Sequence, residues 1–104
     1  MSEAGDHLDL VFHFHRKSDG RYSVKSPGVP GLFLASEDLP ALTRDLNVAV
    51  RDLLYYNKDI AVDGDIRWQP SEEAAFARVR SLSPAQDEAA DITGICTVTI
   101  KAAE

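Results

Sequence analysis

The stretch FHFH, residues 12–15, sets His13 and His15 two positions apart in a chain with three histidines in all. On an extended strand, side chains at i and i+2 leave the same face about 7 Å apart. Two imidazoles so placed can share a zinc ion if a third ligand converges on them, and Asp9 and His7 are the nearest residues of suitable type. Asp9, His13 and His15 are therefore the weak candidates for a metal centre, and through it for a metal-dependent nuclease or hydrolase. Catalytic zinc needs three protein ligands, whereas only two here have assured geometry, so the sequence is read as holding no metal and no other cofactor. Two-metal nuclease chemistry needs clustered carboxylates. Asp45 and Asp52 lie seven apart on a helical pattern, where charged residues are mostly solvated. Cys96 falls on the inward side of an alternating segment, where a thiol is ordinarily inert packing. No serine stands in a nucleophile elbow, and the glycines of SPGVPG precede a strand instead of opening a phosphate-binding helix. The residues thus predict a protein without catalytic activity.

The elements that position these residues begin with LDLVFHFH, where Leu8, Leu10, Phe12 and Phe14 alternate with Asp9, Val11, His13 and His15. This period of two predicts a half-buried strand with the histidines on its polar face. Ser18, Asp19 and Gly20 suit a three-residue hairpin loop with Gly20 in the left-handed region. Such a loop pairs Arg16 with Tyr22, His15 with Ser23, Phe14 with Val24 and His13 with Lys25. A cation opposite His13 disfavours a bound metal ion. SPGVPGLF breaks the chain with two prolines, and GLFLAS, residues 31–36, supplies a third strand. Asp38 is the expected helix N-cap, with Pro40 in the first turn. Leu39, Leu42, Leu46, Ala49, Val50, Leu53 and Leu54 then form one apolar stripe to about Tyr56.

Asp63 and Gly64 signal a turn, so Ile60–Val62 and Ile66–Trp68 are expected as a short hairpin or an irregular excursion. Ser71 is the expected cap of a second helix, with Glu72 and Glu73 at its positive end, Arg78 and Arg80 in its last turn, and Ala75, Phe76, Val79 and Leu82 inward. SPAQDEAAD reads as an acidic loop. ITGICTVTIK reads as a final strand with Cys96, Val98 and Ile100 inward. The expected fold is α+β, a single domain over 1–104: a three-stranded antiparallel meander, a long amphipathic helix on the sheet, a short second helix within an insertion over 57–91, and a closing strand. The first seven residues are expected to be disordered.

The order of these elements brings a family likeness. Residues 19–54 resemble the N-terminal domain of HicB-type antitoxins, carried by Asp19, Gly20, Tyr22 and Val24 in the hairpin, Pro27, Pro30 and Gly31 in the turn, and Phe33 in the strand before the capped helix. The resemblance implies a degenerate ribonuclease H-like fold, a homo-oligomer (dimer or tetramer), and masking of a small basic ribonuclease toxin of the HicA type. The ribbon-helix-helix or helix-turn-helix segment of complete HicB antitoxins has no counterpart after Lys101, so direct DNA binding is not expected.

Charge and composition agree with a protein partner. The formal net charge is −6 over 104 residues with 44% hydrophobic content, a balance that repels nucleic acid phosphate and favours a basic protein. No window approaches a membrane span and no leader pattern opens the chain, so a cytoplasmic location is expected. One cysteine excludes an internal disulfide. Trp68 and Tyr55 are candidate interface anchors, because aromatic residues dominate hot spots. Asp63 and Asp65 are candidates for steering a basic partner.

Overall fold

The computed structural model describes residues 6–86 and 88–100, the side chain of Ile100 excepted. Five strands and two helices follow in the order β1 (Asp6–Arg16), β2 (Tyr22–Lys25), β3 (Phe33–Ser36), α1 (Leu39–Lys58), β4 (Ile60–Trp68), α2 (Glu72–Arg80) and β5 (Ala89–Ile100), with one 3₁₀ turn at Pro84–Gln86. The strands form one antiparallel sheet in the order β3-β2-β1-β5-β4. The broad class is α+β, as the periodicities predict.

The first hairpin has the expected register: His13 pairs with Lys25, Phe14 with Val24, His15 with Ser23 and Arg16 with Tyr22. Its loop is closed by Lys17 and Arg21, with Gly20 at φ +91°. The Asp19 carboxylate accepts the Arg21 N–H at 3.0 Å, an Asx turn that fixes the same geometry. The Tyr22 ring is buried beneath the Arg16 guanidinium, 4.4 Å from its centroid. In the proline turn, Gly31 takes φ +89°, and the strand proper begins two residues later than expected, at Phe33.

α1 starts at the expected cap, Asp38, although the Asp38 side chain makes no cap hydrogen bond. The helix runs two residues beyond Tyr56 and stops where Asp59 turns left-handed, φ 57°, a conformation Asp tolerates better than most residues. Its stripe is buried at Leu39, Leu42, Leu46, Val50 and Leu54, with Ala49 and Leu53 half-buried beside them. In α2 the Ser71 hydroxyl accepts the Ala74 N–H at 3.1 Å, and Ala75, Phe76 and Val79 are buried.

Residues 57–91 depart most from expectation. Ile60–Trp68 is neither a hairpin nor an excursion but one edge strand, paired with β5 and shifted in register between Asp63 and Arg67. Two three-residue arms would satisfy only each other, whereas the twelve-residue β5 offers both arms a longer ladder. Gly64, at φ +74°, absorbs the bulge. The Ile66 N–H donates to Asn47 Oδ1 of α1 at 2.9 Å. A helix side chain thereby satisfies a strand N–H beside the bulge. The last strand begins at Ala89, three residues early, so Ala89–Asp91 belong to the sheet instead of an acidic loop. Asp6 and His7, expected to be disordered, pair with Val98 and Thr97.

Both helices pack on the sheet face that carries Leu10, Phe12, Phe14, Val24, Ile92, Cys96 and Val98. At its centre Trp68 meets Phe12, Phe14 and Phe76 with ring centroids 5.0, 5.7 and 5.4 Å away. Gly94 lets β5 pass this cluster, since a Cβ there would lie 2.6 Å from Ile66 Cγ2 and 2.8 Å from Phe12 Cε1.

Candidate functional site

The opposite face of the sheet carries the polar set of the first strand, and the ladders arrange it in rows. One row runs Phe33, Lys25, His13, Asp91 across β3, β2, β1 and β5. Beside it runs Ala35, Ser23, His15, Ala89, and on the other side Val11 pairs with Thr93. Further along, Asp9 and Arg67 flank Ile95, while His7 and Asp63 flank Thr97. All three histidines therefore sit on one face, because 7, 13 and 15 share parity on a single strand.

The His13 ring and the Asp91 carboxylate make a short hydrogen bond, Nδ1 to Oδ1 at 2.5 Å, with the carboxylate 64% exposed. The Arg78 guanidinium of α2 donates to the Asp91 carbonyl at 3.1 Å, tying the row to the helix below. His7 Nδ1 accepts from Arg67 Nη2 at 2.9 Å, so that nitrogen is already engaged. Among the described residues, no group of three or more His, Cys, Asp or Glu could hold a metal ion. Asp9, His13 and His15 share the face, but the nearest carboxylate to His13 is Asp91, which binds its Nδ1 instead of completing a ligand set with Asp9. Asp45 and Asp52 are exposed on α1. Cys96 lies on the core face, fully buried, and burial pushes its thiol up to about 11 against a weaker downward pull from Arg67.

Two hollows adjoin on this face. The larger, about 420 Å³, is lined by His13, His15, Lys17, Ser23, Lys25 and Phe33, over Phe14 and Ala89. The second, about 370 Å³, shares His13 and Lys25 and continues over the proline turn past Pro27 and Gly31. On the helix side, a cleft of about 330 Å³ runs between α1, the β4 bulge and the start of α2, where Arg44, Arg51, Asp65 and Glu72 meet.

The residues expected at a partner surface are dispersed. Trp68 is only 3% exposed and fills the aromatic cluster, so the core takes this side chain from the expected interface. Its burial follows from β4 being a full strand whose inward positions include Ile66 and Trp68. Tyr55 is 39% exposed, edge-on to the more exposed Tyr56 at 5.0 Å. Asp63 and Asp65 flank Gly64 in the bulge, and Asp65 is 3.9 Å from Arg51.

No protein-family model, curated protein or solved structure matches this chain. The site must therefore be weighed on its own geometry. What the sequence did not reveal is the exposure of Phe33, 59%, and the pairing of His13 with Asp91, residues 78 apart. The alternation of GLFLAS could have marked Phe33 as lying on the face of Lys25. Nothing local marks Asp91.

Proposed function

We propose that this chain is a non-catalytic, HicB-like interaction domain, which associates with a second copy through its uncovered sheet face and takes a small basic ribonuclease of the HicA type as its other partner. The observation that carries this is the single-sided covering of the sheet. Both helices lie on one face, while the middle of the other holds Val11, 43% exposed, among the half-buried Thr93, Ile95 and Thr97. Uncharged β-branched residues across adjacent strands form a surface suited to face-to-face packing of a second sheet. The Asp19-Gly20-x-Tyr22 hairpin, the proline turn and the capped α1 support the HicB-like reading, and the net charge of −6 supports a basic partner.

Size-exclusion chromatography with light scattering tests self-association: the wild-type chain is expected at twice its monomer mass, and Val11→Lys at the monomer mass. A wild-type chain that stays monomeric at about 1 mM refutes it. Inhibition of a purified HicA-type ribonuclease by equimolar chain tests the second partner. Stoichiometric zinc or manganese in the purified protein, lost on His13→Ala, would overturn the non-catalytic reading in favour of a metal-dependent hydrolase.

A further inference from the structure

Although the chain is acidic overall, the hollow at the β1-β2-β3 corner is framed by cationic and neutral groups. Lys17 and Lys25 line it with His13, His15, Ser23 and Phe33, and among the described residues no carboxylate lines it. Asp91, opposite His13 in the neighbouring strand, is engaged by His13 Nδ1. Phe33 is 59% exposed, and Lys17 Nζ stands 5.8 Å from its ring centroid. Lys25 is the cross-strand partner of Phe33 in the ladder, so a second lysine leaves the sheet from the position next to this ring. An open ring offers a flat apolar face on which a planar ligand can stack.

Ser23 adds an independent observation. It lies in the wall of the same hollow at 4% exposure, and its hydroxyl makes no hydrogen bond to another described residue. A buried hydroxyl without a partner is uncommon and points to a group that the folded chain does not itself supply. Two cations, an open ring and a buried hydroxyl match a ligand with a charged oxyanion, a planar ring and further polar atoms. At about 420 Å³ the hollow is of small-molecule size and larger than a bare phosphate requires.

We propose that this corner pocket binds a free mononucleotide, its phosphate between Lys17 and Lys25, its base against Phe33 and one of its polar atoms on the Ser23 hydroxyl. A single phosphate is held by local charge, whereas a longer polyanion must also run over the surface of a chain of net charge −6. The site lies at the corner of the same sheet face, one row from Val11, and all its residues belong to one copy of the chain.

Amide chemical shifts of the full chain, titrated with adenosine 5′-monophosphate, inorganic phosphate, adenosine and a 5′-phosphorylated ribotetranucleotide, test this. Shifts at Ser23, Lys25 and Phe33 are expected, with the nucleotide binding about tenfold or more tighter than either phosphate or adenosine alone. Lys25→Glu and Phe33→Ala, both at exposed positions, are each expected to weaken binding about tenfold with the remaining spectrum unchanged. Four results would overturn the proposal: no shift at these amides, phosphate binding as tightly as the nucleotide, an affinity indifferent to both substitutions, or the tetranucleotide binding more than about tenfold tighter than the mononucleotide.

Discussion

Replacing Gly94 with alanine adds one methyl group where β5 crosses the aromatic cluster. The new Cβ would stand 2.6 Å from Ile66 Cγ2, 2.8 Å from Phe12 Cε1 and 3.3 Å from Phe12 Cδ1. Carbon atoms rest about 3.5–4.0 Å apart, so two side chains must each yield by about 1 Å. Neither has room to do so. Phe12 is fully buried with its ring against Trp68, and the backbone of Ile66 is held to Asn47. Overpacking of this kind costs about 1–3 kcal/mol, and the entropy that alanine removes from the unfolded chain returns less than about 1 kcal/mol. A net loss of about 2 kcal/mol is expected, which lowers the melting temperature of a domain this size by about 8–16 °C. Urea unfolding should move its midpoint down by about 1 M with the slope unchanged. The cause is tested by adding Phe12→Leu: trimming the ring relieves the clash, so the double variant should lose about 1 kcal/mol less than the sum of the singles. A loss below about 0.5 kcal/mol for Gly94→Ala, or strict additivity in the pair, would refute the packing argument.

Two other perturbations probe the bulge and the core. Asn47→Leu leaves the Ile66 N–H without its acceptor and is expected to cost about 1–3 kcal/mol, with faster hydrogen exchange at Ile66, whereas Asn47→Asp keeps an acceptor and should lose less. Cys96, with its thiol pushed from 9.0 up to about 11, should resist iodoacetamide at pH 8 in the native chain and react once urea unfolds it, as read by mass. The sign of the linkage follows: the unfolded chain releases this proton first, so the Cys96 contribution to stability is full below about pH 9 and falls as pH rises toward about 11. Cys96→Ala should flatten that fall in denaturant titrations between these pH values.

Local chemistry dictates much of this molecule, and it does so where the partners are near in sequence. The hairpin register is set by the Asp19-Gly20 turn and by the alternation on either side of it, since a one-residue slip would turn Phe14 and Val24 to the wrong face. The α1 stripe and the Ser71 cap are likewise short-range patterns, and both lie where periodicity puts them. Residues 57–70 were ambiguous because Asp63-Gly64 is compatible with a hairpin turn and with a bulge. Only the available ladder of β5 selects between them. Trp68 shifted from expected interface anchor to core for the same reason.

The candidate site divides along the same line. The sequence by itself determined that His7, Asp9, Val11, His13 and His15 share one face of a strand, because parity along an extended chain is a covalent fact. It also determined that Lys25 stands opposite His13, because a turn of known length fixes the register of its own arms. Tertiary structure alone decided that β5 lies on the other side of β1, that Asp91 takes up His13, and that both helices gather on one face, with no described helix on the other. Those outcomes depend on pairing between segments 70 and more residues apart, whose choice rests on burying Phe12, Phe14, Trp68 and Phe76 together. No local pattern encodes that choice, since it is made by the whole core at once.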